Sequence, residues 1–194
     1  SILAADASQD AEPSGYPVIG LPIHRVGIVA MGLWLIDAVR AEHVPGPNVA
    51  YYTGMTPTRA PLPLYLLHAP MADGGKREDY EWLEKTHTWV QWALPTMERS
   101  EYNPDAVPLT RTERRAFRAN PILRARAWQS ITVLLEFLGI DARPDGTFAP
   151  NAQWPERTAN WAAHQHNNLR VTRMLRFMVA MGWASVADNF VRFA

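Results

Sequence analysis

Apolar residues in this chain recur at steps of three and four, which is the spacing of one face of a helix. No run of five residues alternates cleanly between polar and apolar, so the pattern offers no material for a half-buried sheet. It predicts one compact all-α domain of about six helices. The predicted helices cover residues 24–42, 77–93, 111–118, 121–138, 168–182 and 185–192.

Two of these helices have recognisable starting signals. Thr110 and Glu113 stand three residues apart, as in a capping box, where the hydroxyl accepts from one backbone amide and the carboxylate from another. Asn120 precedes Pro121, which is an N-cap followed by proline at the first helical position. Gly139 is expected to end the second of these helices.

Prolines and glycines divide the remaining chain. Residues 1–22 contain both without apolar periodicity, so we expect an extended or partly disordered arm before a single domain over 23–194. Six prolines fall between residues 45 and 75, too many for a helix or a central strand. A long proline-rich loop is therefore expected there, and loops of this length are often functional.

Composition excludes several classes of protein. The 19 basic and 19 acidic residues cancel, which argues against nucleic-acid or membrane-surface binding. The absence of cysteine excludes a disulfide framework, a thiol nucleophile and a thiolate metal site. The longest apolar run, residues 26–36, is about half a membrane span, and we expect no signal peptide in the chain as given. We therefore expect a cytoplasmic protein without a membrane span.

Several stretches resemble the conserved region of opioid growth factor receptors. Residues 79–92 read DYEWLEKTHTWVQW, residues 166–175 read HNNLRVTRML, and the latter follow an Arg157-x-x-Asn160 pair. Together with looser matches, the resemblance covers about residues 48–194. It implies a helical domain of the kind found in vertebrate receptors that are described as binding an enkephalin peptide and restraining cell growth.

Similar domains also occur in microbes. Arginine outnumbers lysine by 17 to 2 here, which is typical of a GC-rich genome. We expect a microbial, bacterial member of the family. Asn160, which lies in the most family-like stretch, is included among the expected ligand-binding residues.

The same stretch contains a candidate ligand site. His166, Arg170 and Arg173 share one face of the predicted helix, and Asn167 and Asn168 lie near its expected start. An imidazole, two guanidinium groups and a helix N-terminus suit a carboxylate or a phosphate. The alternative is structural, with the arginines paired to acidic residues of the helix at 77–93, namely Asp79, Glu81 or Glu84.

A second hypothesis is general acid–base catalysis by His166 or His87, oriented by Asp79 or Glu84. It describes an enzyme without an organic cofactor, such as a lyase, cyclase or hydrolase of secondary metabolism. No nucleophile elbow, phosphate loop or dinucleotide fingerprint is present. A metal bound near the Glu84-x-x-His87 pair with His164 or His166 is a weaker alternative, and we assign no metal ligands.

Aromatic residues offer a further possibility. Tyr51, Tyr52 and Trp92 can line a cleft with residues 55–75 as its lid, or they can be core residues. The arginine-rich run 111–126 suits either a solvated helix face or a protein partner, which makes an interaction module the third hypothesis. The leading hypothesis remains a receptor-like domain that binds a small-molecule or peptide ligand. The sequence does not determine its oligomeric state.

Overall fold

The computed structural model describes residues 46–55, 59–68, 77–163 and 165–194. Within its helices, only the backbone is described for residues 77–79, 160–163 and 165. The predicted arm over 1–22 and the predicted helix over 24–42 lie outside these residues, as do parts of the expected lid.

Nine helices and a two-stranded antiparallel sheet form within the described ranges. The helices are α1 (Pro47–Tyr52), α2 (Leu64–Leu67), α3 (Arg77–Lys85), α4 (Trp89–Ala93), α5 (Arg111–Ala119), α6 (Pro121–Phe137), α7 (Trp154–Ala163), α8 (Gln165–Ala180) and α9 (Ala184–Phe193). Strands β1 (Ile140–Ala142) and β2 (Phe148–Pro150) lie between α6 and α7. The described part of the chain is thus mostly helical, in rough agreement with the all-α prediction, which contained no sheet and about six helices.

The small hairpin was missed because its strands are too short to show alternation. Each strand has three residues, and Ile140 pairs with Pro150 at the open end. The turn is closed by Gly146 at a φ of 78° and by Asp145, which accepts from the Thr147 amide at 2.9 Å. Strands this short are visible in sequence only through such turn residues.

Two short helices, α1 and α2, occupy the segment that was predicted to be one long loop. Pro47 is the first residue of α1, where a helix does not use the backbone N–H group that proline lacks. Pro63 precedes α2 in an extended conformation. The prolines therefore precede or start helices here, although their number had predicted a loop.

The single helix predicted over 77–93 is divided into α3 and α4. The carbonyl oxygens of Leu83 and Glu84 would accept from residues four further on if the helix continued. They instead accept from the Trp89 indole at 3.0 Å and from the Arg170 guanidinium at 3.0 Å. Side-chain hydrogen bonds thus replace the backbone hydrogen bonds that would extend α3, and the chain bends at His87.

Both predicted helix starts are confirmed. Thr110 and Glu113 form the complete capping box of α5, and Asn120 accepts from two amides at the start of α6. Gly139 follows the end of α6 with a φ of 78°. A Cβ atom there would lie 2.8 Å from Trp154 Cα, so only glycine allows α7 to approach this closely.

Glu113 also connects α5 to the start of α1. Its buried carboxylate accepts from the Asn48 amide at 2.8 Å and from the Asn48 side chain at 3.3 Å. A Cβ atom on Gly46 would lie 2.5 Å from Glu113 Oε1, so the approach of the two segments requires glycine at this position. The capping residue of one helix therefore anchors another that lies 65 residues away in sequence.

Tyr51, Tyr52 and Trp92 are core residues, with exposures of 3% or less. The Tyr52 hydroxyl donates to the Ala93 carbonyl and lies 3.0 Å from Ser130 Oγ, which in turn contacts His68 at 2.8 Å. Burial, together with the charge of Arg126, lowers the pKa of His68 to about 3. These groups form a buried, neutral network, and we assign the aromatic residues to packing rather than to a cleft.

Part of the arginine-rich run binds backbone carbonyls. Arg118 donates to Ala180 at 3.0 Å and Arg124 donates to Met181 at 3.0 Å, which satisfies carbonyl groups at the end of α8. Arg126 donates to the Tyr52 carbonyl. These three guanidinium groups are therefore hydrogen-bonded to backbone carbonyls of the domain and do not form a solvated face.

None of the helices in the described part of the chain has the length and apolar character of a membrane span.

Candidate functional site

A pocket of about 680 Å³ opens between α8, the bend at His87 with α4, and the loop over residues 96–102. It is lined by His87, Val90, Gln91, Thr96, Glu98, Arg99, Ser100, Glu101, Tyr102, His166, Leu169, Arg170, Arg173 and Arg176. One cavity is therefore lined by three of the predicted residues of α8, His166, Arg170 and Arg173, and by His87 at the bend.

Helix α8 supplies one wall of this pocket. It begins at Gln165, not near Asn168 as predicted, so Asn167 and Asn168 lie within its first turn rather than before it. His166, Arg170, Arg173 and Arg176 follow at steps of four, three and three, which places them on one helix face, and Leu169 lies on the same face, three residues after His166. The expected stripe of polar side chains exists and continues one step further, to Arg176.

Arg170 and Glu84 form the inner part of the wall. The Arg170 side chain is 4% exposed and donates to Glu84 Oε2 at 3.4 Å, to Asn167 Oδ1 at 3.1 Å and to the Glu84 carbonyl. Burial lowers the pKa of Arg170, and Glu84 opposes that change. The charge of Arg170 is thus largely compensated, as the structural alternative with Glu84 as partner had anticipated.

The two predicted catalytic histidines lie together. His166 Nε2 is hydrogen-bonded to Glu84 Oε1, and the His87 and His166 rings have centroids 5.0 Å apart. His87 is exposed at the bend. Partial desolvation lowers its pKa, and electrostatic interactions with Arg170 and with the neighbouring imidazole lower it further, whereas Glu84 raises it. His87 is therefore neutral near pH 7, while His166 is oriented by a carboxylate.

The outer part of the pocket is rich in arginine. Arg173 donates to the Leu94 carbonyl at 3.2 Å, and its pKa is lowered by burial and by nearby Arg176, with Glu98 opposing. Arg99 and Arg176 are exposed, and neither guanidinium is hydrogen-bonded to a described residue. These three cations share the pocket with two glutamates, so this end has a formal excess of positive charge.

Sequence reasoning missed Arg99, Arg176 and the loop that carries Arg99. Arg176 was detectable, since it continues the spacing of Arg170 and Arg173. Arg99 had no such signal, because a loop residue has no helical period that relates it to α8. The first residue of the loop is held from outside it, by the Leu109 amide that donates to the Thr96 carbonyl at 2.8 Å.

The remaining predicted residues lie elsewhere or are not described. Asn167 is buried and supports Arg170, whereas Asn168 is exposed on α8 and is not part of the pocket wall. The side chains of Asp79 and Asn160, which lie on α3 and α7, are outside what the structure describes. Among the described residues, no three His, Asp or Glu side chains are grouped so that they could hold a metal ion.

Comparison with known proteins gives a family match over most of the chain. The model of the opioid growth factor receptor (OGFr) conserved region matches residues 47–194. The opioid growth factor receptor of Mus musculus is 33% identical over 119 residues, which are 60% of this chain and 19% of that protein. The opioid growth factor receptor-like protein 1 of Mus musculus is 34% identical over 116 residues, 59% of this chain and 25% of that protein.

The opioid growth factor receptor of Homo sapiens is 31% identical over 118 residues, 60% of this chain and 17% of that protein. The chain thus spans a quarter or less of the length of these relatives. No solved structure matches it.

Proposed function

Since the chain belongs to the family of the opioid growth factor receptor conserved region, we propose that it is a ligand-binding domain whose pocket takes a small anionic or peptidic ligand. The proposed binding residues are Arg99, Arg173 and Arg176, with His166 and His87 at the other end. Arg170 and Asn167 hold the wall in place. Two of the relatives are named as receptors, which is in keeping with a binding role.

The observation that carries this proposal is the position of Arg99 and Arg176. They come from different elements, they face one cavity, and no described residue takes up their guanidinium groups. A guanidinium group presents a fork of N–H donors that matches the oxygens of a carboxylate or a phosphate. Side chains arranged in this way are suited to an anion that enters from solvent.

The test is a thermal-shift screen with inorganic phosphate, dicarboxylates and short acidic peptides. A ligand present at a hundred times its Kd stabilises a protein by about 2.7 kcal/mol, which raises the Tm of a domain this size by roughly 5–10 °C. In the Arg99→Gln/Arg176→Gln double variant, we expect the shift to be largely lost.

The matched control is Arg192→Gln, which removes an exposed arginine of α9 that does not line the pocket. It is expected to respond as the wild type does. Equal shifts in the wild type and the double variant would show that any binding occurs elsewhere.

A second candidate function is acid–base catalysis on a ligand in the same pocket. It is favoured by one observation, the hydrogen bond that orients His166 through Glu84 beside the neutral ring of His87. A carboxylate-oriented histidine with a second imidazole nearby is a common arrangement for moving a proton. A bell-shaped pH–rate profile that is lost in His166→Ala would support it, and unchanged turnover in both histidine variants would exclude it.

A further inference from the structure

The pocket has two chemically different ends. His166 and Arg173 are seven residues apart on α8, so the histidine end and the arginine end are separated by about 10 Å along the helix axis. Leu169 lies between them on the same face and is 51% exposed. Along α8, the pocket wall therefore has polar groups at both ends and an apolar residue between them. We call this part of the pocket the groove.

The arginine end has a permanent charge. Arginine stays protonated throughout the physiological pH range, so Arg99, Arg173 and Arg176 attract an anion at any pH at which the domain is folded. Glu98 and Glu101 offset part of that charge. An anionic group placed here gains charge-assisted hydrogen bonds without needing a proton.

The histidine end has a charge that depends on protonation. The groups that face His87 are Glu84 from α3 and His166 and Arg170 from α8, and Arg170 is already paired with Glu84. The same pocket also contains Glu98, Arg99 and Glu101 from the loop. With His87 neutral, this end offers little net positive charge to an anion.

An anion placed at the histidine end would change that balance. It would oppose the repulsion that Arg170 and His166 exert on a protonated His87, and so it would favour proton uptake by the imidazole. By linkage, a proton that is bound more tightly in the complex makes the ligand bind more tightly as the pH falls. Binding at this end is therefore coupled to pH, whereas binding at the arginine end is not.

We propose that the natural ligand is an elongated dianion with one anionic group at each end of the groove, and that its binding is accompanied by uptake of one proton at His87. This inference rests on the proposed function and narrows its ligand class. The reaction is a simple association in which the proton comes from solvent and no covalent bond is made or broken.

The experiment uses three simple probes in isothermal titration calorimetry with the wild-type chain. Octanedioate is an elongated dianion, octanoate is a monoanion of the same chain length, and butanedioate is a dianion too short to reach both ends. We expect octanedioate to bind most tightly, and to bind about tenfold more tightly at pH 6 than at pH 8. For octanoate we expect little dependence on pH.

Two variants separate the ends of the groove. In His87→Gln, octanedioate should still bind, but the pH dependence and the proton uptake should disappear. In Arg176→Gln, binding should weaken at all pH values while the pH dependence remains. Arg192→Gln serves as the control, since this exposed arginine is not part of the groove.

The outcomes distinguish this inference from the function on which it rests. If octanedioate binding requires Arg176 but does not depend on pH or on His87, the anion site stands and the dianion inference is wrong. Equal affinity for octanedioate and octanoate would also overturn it. If no probe binds, or if binding is indifferent to Arg99 and Arg176, both the inference and the proposed function fail.

Discussion

Replacing Glu113 with alanine is expected to lower the free energy of unfolding by about 4 kcal/mol, since it leaves two backbone amides without an acceptor. In the wild type, the buried carboxylate accepts from the Asn48 amide at 2.8 Å and from the Thr110 amide at 2.9 Å. The Asn48 and Thr110 side chains also donate to it. The substitution therefore weakens the starts of α1 and α5 together, and Tm should fall by roughly 10 °C.

Urea unfolding measures this change directly. Glu156→Ala is the matched control because Glu156 is exposed at the start of α7, where it caps no second helix. Its effect should be within about 1 kcal/mol. A loss in Glu113→Ala no larger than in the control would mean that Glu113 does not join the two helices.

Replacing Arg170 with methionine is the second large change, with an expected loss of about 3 kcal/mol. Methionine fills a similar volume but leaves Glu84 without its guanidinium partner and leaves the Glu84 carbonyl without the donor that ends α3. Since Glu84 is still partly exposed, water limits the loss.

Arg176→Met provides the control on the same helix face. Arg176 is exposed and lies six residues further along α8, so its loss should change stability by less than about 0.5 kcal/mol. Adding Glu84→Gln to Arg170→Met should cost less than the two single changes summed, because they remove one shared interaction. Strict additivity in this cycle would contradict the pairing of Arg170 with Glu84.

Local signals predicted the parts of the fold that local chemistry determines. The capping box at Thr110 and the N-cap at Asn120 act within four residues, so they could be identified directly. The break between α3 and α4 could not, because one of the two side chains that donate to the last carbonyls of α3 is Arg170, which lies 86 residues away in sequence. The start of α1 at Pro47 could not be predicted locally either, because its first turn is held by Glu113, which is distant in sequence.

The candidate site, too, could be predicted only in part. The spacing of His166, Arg170 and Arg173 predicted one face of α8, since residues three and four apart always share a face. Spacing alone could not distinguish Arg170, which is buried against Glu84, from Arg176, which faces the pocket. That distinction depends on where α3 and the loop over 96–102 lie. The spacing of residues within α8 does not indicate those positions.

We propose that the groove between α8 and the loop over 96–102 binds an anion through its arginines. The most direct test is to follow the side-chain Nε–H signals of the arginines by NMR during a titration with octanedioate. The account predicts that the signals of Arg99, Arg173 and Arg176 shift together along one binding curve. Those of Arg118 and Arg124, which bind carbonyls at the end of α8, should not move. If the signals of Arg99 and Arg176 stay in place at saturating probe, the groove is not an anion site.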